Sequence, residues 1–176
     1  MLPVHSPKTG AVSALCLLLC FLPAPADSSQ LKPLSYEQAQ TLMHAVGQVT
    51  LREQLTLSLL ADCSGEFGHL AESASLARTN WLSSNTSIVE KSRRIRSLVE
   101  KSIQSRQSDF DAVKFSLDIE AMVHNGVKNF QSELASKSRK DRHYLCNRLI
   151  LSISAGEWDL EKQHPGEVST ISNFKE

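Results

Sequence analysis

The chain has 176 residues with 19 basic and 19 acidic side chains, so it carries no net charge at neutral pH. That balance excludes the strongly basic footprint of a dedicated nucleic-acid binder. A hydrophobic share of 41% in a chain of this length is enough for one domain with a real core.

Residues 1–26 read as a cleaved signal peptide. His5 and Lys8 precede an apolar run, Ala11 to Leu22, which ends in the small-x-small site Ala24-Pro25-Ala26. The run is shorter than the roughly 20 residues that cross a bilayer, and no second such stretch follows. No transmembrane body is therefore expected. Cys20 follows Leu17-Leu18-Leu19 and Cys16 follows Ala14-Leu15, contexts that do not suit a lipoprotein. Cleavage after Ala26 removes both cysteines, and the loss of Lys8 leaves 18 basic against 19 acidic residues. The expected localisation is periplasmic or secreted. In that oxidising setting the two remaining cysteines, Cys63 and Cys146, are expected to form a disulfide. They lie 83 positions apart. Closing so long a loop removes about 4–5 kcal/mol of unfolded-state entropy in the chain-entropy model. With no C-x-x-C pair, the bond reads as a staple and not as a redox site.

The predicted elements after the leader are all helical. Only Pro33 and Pro165 occur beyond residue 26, and glycine is absent from His69 to Asn125. A β-rich domain would need turn residues every 8–12 positions or so. Ser35 with Gln38, Ser87 with Glu90, Ser108 with Asp111 and Ser138 with Asp141 have the spacing of a capping box. A first helix is predicted from Ser35 to Asp62, with Gly47 as a weak point or bend. Cys63-Ser64-Gly65 and Gly68 mark a turn. A second helix follows from His69 to Gln107, with a break expected near Ser83-Ser84-Asn85-Thr86. A third runs from Ser108 to Ser136 and a fourth from Arg139 to Ala155, where Gly156 is placed to take a left-handed conformation.

Apolar periodicity agrees with this layout. Ile88, Ile95, Val99 and Ile103 recur on the second helix, with Leu98 alongside. Phe110, Val113, Leu117 and Ala121 make a stripe on the third, widened by Ile119, Val123, Val127, Phe130 and Leu134. Tyr144, Leu145, Leu149, Ile150 and Ile153 do so on the fourth. The expectation is an all-α bundle of about four helices over residues 27–162, tied by one disulfide. Trp158 and Leu160 are expected to anchor back onto it. Residues 163–176 are expected to be a flexible polar tail.

The motifs argue against most chemistries. Glu66 and His69 have the E-x-x-H spacing of di-metal bundles, but a second such motif is missing, and Glu120 with His124 has the wrong spacing. Met43 and His143 are an imaginable haem pair, with no C-x-x-C-H attachment motif in support. No G-x-S-x-G elbow or phosphate loop is present, and His143 near Cys146 lacks a free thiolate to activate. No cofactor, metal or catalytic residue is assigned. Two basic clusters remain: Lys91, Arg93, Arg94, Arg96 and Lys101, and the group Lys137, Arg139, Lys140 and Arg142. The second is unusual at a helix N-terminus, where cations are unfavourable; it reads either as a solvated face with Asp141 as local counter-charge or as a candidate partner-facing patch. Asn85-Thr86-Ser87 is a glycosylation sequon.

The stretch LLADCSGEFGHLAESASLARTNWLSSNTSIV, residues 59–89, holds a Cys ending a helix, an F-x-x-L step and W-L-x-x-N. Gly156-Glu157-Trp158-Asp159-Leu160 follows Cys146 by ten residues. Together these resemble small, uncharacterised, helical periplasmic proteins of Gram-negative bacteria. The resemblance implies compartment and fold, with no activity to carry over. The expected role is a non-enzymatic envelope protein working by protein–protein contact with an unknown protein partner. The alternatives are a periplasmic immunity or inhibitor protein, and a small-molecule or metal carrier using the bundle interior.

Overall fold

The computed structural model describes residues 34–104 and 112–176. The leader, Phe110 and the Ser108–Asp111 start lie outside them. Among the described residues the fold is all-α, with six helices: α1 (Tyr36–Glu66), α2 (Ala71–Gln104), α3 (Ala112–Ala135), α4 (Arg139–Ser154), α5 (Leu160–Gln163) and α6 (Pro165–Asn173). A 3-10 turn, Gly68–Leu70, joins α1 to α2.

Helix α1 starts on a complete capping box. The Gln38 amide donates to Ser35 Oγ at 3.2 Å, and the Ser35 amide donates back to Gln38 Oε1 at 3.0 Å. Glu37 in the first turn complements the helix dipole. The helix is packed by α2, α3, α4 and α6. Its buried set is accordingly wide, from Ala39, Leu42, Met43, Ala45 and Val46 to Leu59, Leu60 and Cys63. It is continuous through Gly47. A Cβ there would stand 3.0 Å from Met122 Cε of α3, so this position keeps the two helices close. Nor does Cys63-Ser64-Gly65 break it: the helix runs to Glu66, and the turn comes at Phe67.

Helix α2 is continuous through Ser83–Thr86. Leu70, Ala74, Ala77, Trp81, Asn85, Ser92, Ile95 and Val99 are buried along one seam, with Ile88 packed beside it. This seam against α1 overrides the weak helix propensity of Ser, Asn and Thr. Ser87 lies inside α2 and caps nothing. In α3 the buried line is Ile119 and Val123, while Leu117 is 56% exposed and Ala121 is also exposed. That helix lies chiefly on α1 and buries one narrow face. Helix α4 is capped by Ser138, whose Oγ accepts from the Asp141 amide at 3.2 Å.

The end of α4 is closed by Gly156 at φ 69°. The Gly156 amide donates to Ile153 O and the Glu157 amide to Ser152 O, both at 2.9 Å, which is a Schellman cap. The expected loose tail is instead structured. Pro165 opens α6, a position that suits its fixed φ and missing N–H. Val168 and Ile171 of α6 are buried, and the helix packs on α1 and α2. Lys91 Nζ donates to Ser172 O at 2.8 Å, and Arg94 pairs with Glu176 at 3.2 Å.

Candidate functional site

The predicted disulfide is present. Cys63, in the last turn of α1, is bonded to Cys146 in the middle of α4, with the Cα atoms 5.5 Å apart. Both residues are buried. Over them opens a groove of about 360 Å³ between α3 and α4, reaching α1 and the segment after α4. Its apolar walls are Leu59, Phe130, Leu134, Leu145, Leu149 and Trp158. Glu133, Lys137, Arg148 and Glu157 give it charges of both signs. Of its apolar walls, Phe130 is 38% exposed.

The basic clusters divide differently from the sequence expectation. On α2, Arg93 pairs with Glu53 of α1 at 2.6 Å, and Arg96 reaches Glu100 and Glu120 at 2.8 Å each. With Lys91 and Arg94 on the C-terminal segment, four of these five cations fasten α2 to its neighbours. In the α4 group, Arg142 is not offered to a partner. Its guanidinium chelates Glu66, with contacts of 2.6–2.9 Å, and donates to the Lys137 carbonyl at 2.6 Å. These hydrogen bonds, with further help from the nearby positive charges, hold the Glu66 carboxyl below its usual range. Lys137 lies 3.6 Å from Glu133. Arg139 and Lys140 are exposed, and neither forms an ion pair among the described residues. Cations at this helix start thus serve the carboxylate at the end of α1 and a carbonyl beyond the end of α3.

The E-x-x-H pair is separated by chemistry. Glu66 goes to Arg142, while His69 Nε2 lies 2.8 Å from His143 Nε2. No group of three or more metal-ligating side chains occurs among the described residues. Met43 lies 23 residues before Glu66 on α1, about 35 Å along the helix, so it does not meet His143. Glu120 is paired with Arg96.

Asn85 is the largest departure from the sequence reading. Its side chain is buried and fully used. Nδ2 donates to Trp81 O at 2.7 Å and to Asp159 Oδ1 at 3.3 Å, while Oδ1 accepts from the Leu160 amide at 2.8 Å. One turn earlier, Trp81 Nε1 donates to Trp158 O at 2.9 Å. The sequon asparagine is therefore an internal clasp, and a glycan on Nδ2 is incompatible with it. The W-L-x-x-N and G-E-W-D-L segments meet in space through these bonds. Arg52 of α1 completes the clasp, its guanidinium 4.4 Å over the Trp158 ring and 2.7 Å from Gln163 Oε1. Trp158 thus forms one end wall of the groove and is held from behind.

No family model matches the chain, and neither a curated protein nor a solved structure does. No described helix is long and apolar enough to cross a membrane.

Proposed function

We propose that this chain is an exported, non-enzymatic helical protein that acts by protein–protein contact in the periplasm, using the groove between α3 and α4. The groove's make-up carries the reading. Phe130, Leu134, Leu145 and Leu149 present an apolar slot to solvent, while the charged side chains around it can pair with a partner's flanking residues. Two helices side by side are the walls into which an amphipathic partner helix can lay its apolar face. The disulfide beneath pins one wall, α4, to α1, so that wall is held in place before a partner arrives, which lowers the ordering cost of association.

Export rests on the signal-peptide pattern of residues 1–26 and on the cross-link, and the periplasm on the resemblance of the Cys63 and Trp158 segments. A non-catalytic role is supported by how the reactive side chains are engaged: both cysteines are bonded, and Glu66 is held by Arg142. An immunity or inhibitor protein is a special case of the same contact. The carrier reading keeps one observation in its favour, since the groove volume falls at the lower end of the roughly 300–1,000 Å³ of ligand sites.

The test is site-specific photo-crosslinking in the intact envelope. A photoreactive residue at Phe130 or Leu149 is compared with one at Leu76, an exposed apolar position on α2. A discrete protein adduct at the groove positions, lost when Leu134→Glu is added, supports the proposal. Equal labelling at Leu76, or no protein adduct, overturns it. A bound amphiphile seen by native mass spectrometry would decide for the carrier.

A further inference from the structure

Away from the groove contact, the geometry points to a surface site for a divalent transition-metal ion, copper(II) first, held by the Nε2 atoms of His69 and His143. The two imidazoles come from positions 74 apart, in the 3-10 turn before α2 and in the first half of α4. Their Nε2 atoms are 2.8 Å apart and the ring centroids 5.0 Å. Neither residue is buried, so an ion can reach both nitrogens from solvent.

The 2.8 Å contact is a ring-to-ring hydrogen bond, and two nitrogens already held this close suit one coordination geometry. Two cis nitrogens at ~2.0 Å from a square-planar ion stand about 2.8 Å apart, whereas a tetrahedral pair stands about 3.3 Å apart. Imidazole nitrogen in a square arrangement suits copper(II) or nickel(II), and copper leads the affinity order of divalent ions. With both rings protonated on Nδ1, the two Nε2 lone pairs are available together. A small turn of the exposed His69 ring redirects them from each other to a shared ion. Water fills the remaining positions.

The scaffold holds the pair before any ion arrives. Cys146 follows His143 by three residues, on the same face of α4, and Cys63 precedes Phe67 by four. The disulfide thus pins the two segments that carry the histidines. Buried Phe67 is the third ring of the cluster, 5.0 Å from that of His143 and 6.3 Å from that of His69, both edge-on. Asn147 Nδ2, 3.3 Å from His143 Nε2, flanks the pair on α4. Glu66 is kept out of the site by its chelation to Arg142, so the ligand set is two neutral nitrogens, not the E-x-x-H motif of the sequence.

The experiment is a calorimetric copper(II) titration of the mature, disulfide-intact protein at pH 7.5, with electron paramagnetic resonance of the one-equivalent complex. The expected result is one site with a two-nitrogen imidazole signature. His69→Ala and His143→Ala should each weaken it by roughly tenfold or more, since one anchored ligand no longer raises the effective concentration of the other. His44→Ala and His124→Ala, on α1 and α3, should leave it unchanged. Circular dichroism and non-reducing mass spectrometry confirm that each variant is folded and cross-linked. Absence of a stoichiometric site, or a site insensitive to both His69→Ala and His143→Ala, overturns the proposal. Zinc binding as tightly as copper would overturn the square-planar assignment.

Discussion

Asn85 Oδ1 and the amide of Leu160 are joined by a buried 2.8 Å hydrogen bond across 75 residues. It ties the middle of α2 to the start of α5, and the same side chain occupies the Trp81 carbonyl. Removing it by Asn85→Ala leaves the Leu160 amide without a partner in a site closed to water. The expected cost is about 1–3 kcal/mol. Asn85→Asp keeps an acceptor but sets a carboxylate against Asp159 and the Trp81 carbonyl, so it should cost more than Asn85→Ala. Urea denaturation followed by helical circular dichroism ranks the three proteins. An Asn85→Asp protein as stable as the parent would remove the clasp from the account.

The disulfide joins the end of the central helix to a helix that has few other ties to it. Replacing both partners, Cys63→Ala with Cys146→Ala, should lower stability by about 2–5 kcal/mol. Urea midpoints of the parent with and without reductant should differ in the same direction. A midpoint unmoved by reductant, with reduction proved by mass, would contradict the staple.

The left-handed conformation of Gly156 supplies a local test. Gly156→Ala forces a Cβ into the φ 69° region and to within 2.8 Å of Asp159 Oδ2. A loss of roughly 1–2 kcal/mol is expected, from backbone strain and a shifted Asp159. Thermal unfolding measures it. Asp159 also accepts from Asn85, so the double variant with Asn85→Ala should lose less than the two single losses added.

Local signals were legible in the sequence, and contacts over long separations were not. Ser35 with Gln38 and Gly156 after Ile153 could be read because each acts within six residues. Cys63 and Cys146 could be paired on the expectation that Cys16 and Cys20 leave with the leader. Asn85 read as a helix breaker and a sequon because its partner, Leu160, lies in another segment. Arg142 read as a free cation for the same reason: Glu66 is 76 positions away. The groove was hidden in a similar way. Phe130 and Leu134 fit a core stripe, and only the placement of α3 against α1 leaves them facing outward. Of that cluster, Arg139 and Lys140 are exposed with no ion pair among the described residues.

Protonation should destabilise this fold in two stages. His164 is held below its ordinary value by burial and then by the charge of Arg52, against the opposite pull of Glu167 at 3.9 Å. A depressed folded value means that the unfolded chain takes up the proton more readily. Stability is therefore full above about pH 6.5 and falls as pH drops through the lowered folded value. Glu66 follows the same sign at lower pH, its stabilisation being lost below the ordinary carboxylate range as the Arg142 chelate is protonated. Melting temperatures from pH 8 to 3 should show both limbs. His164→Gln should flatten the upper limb, and Arg142→Gln the lower one.

The C-terminal helix gives the last prediction, because its sequence looks dispensable. Between Gln163 and Glu176 only Val168, Ile171 and Phe174 are large and apolar, spaced three apart after Pro165. That spacing is one helical face, and Val168 and Ile171 are buried against the bundle while Phe174 packs on its rim. Ile171 is fully buried, so Ile171→Ala should cost about 2–5 kcal/mol, a range set by whether α1 and α2 can close on the cavity. Ser169→Ala, on the exposed face, should change stability by less than about 0.5 kcal/mol. Equal, negligible effects of both would restore the loose tail. A large effect of Ile171→Ala alone makes residues 165–173 part of the folded unit and places the end of the core beyond Leu160.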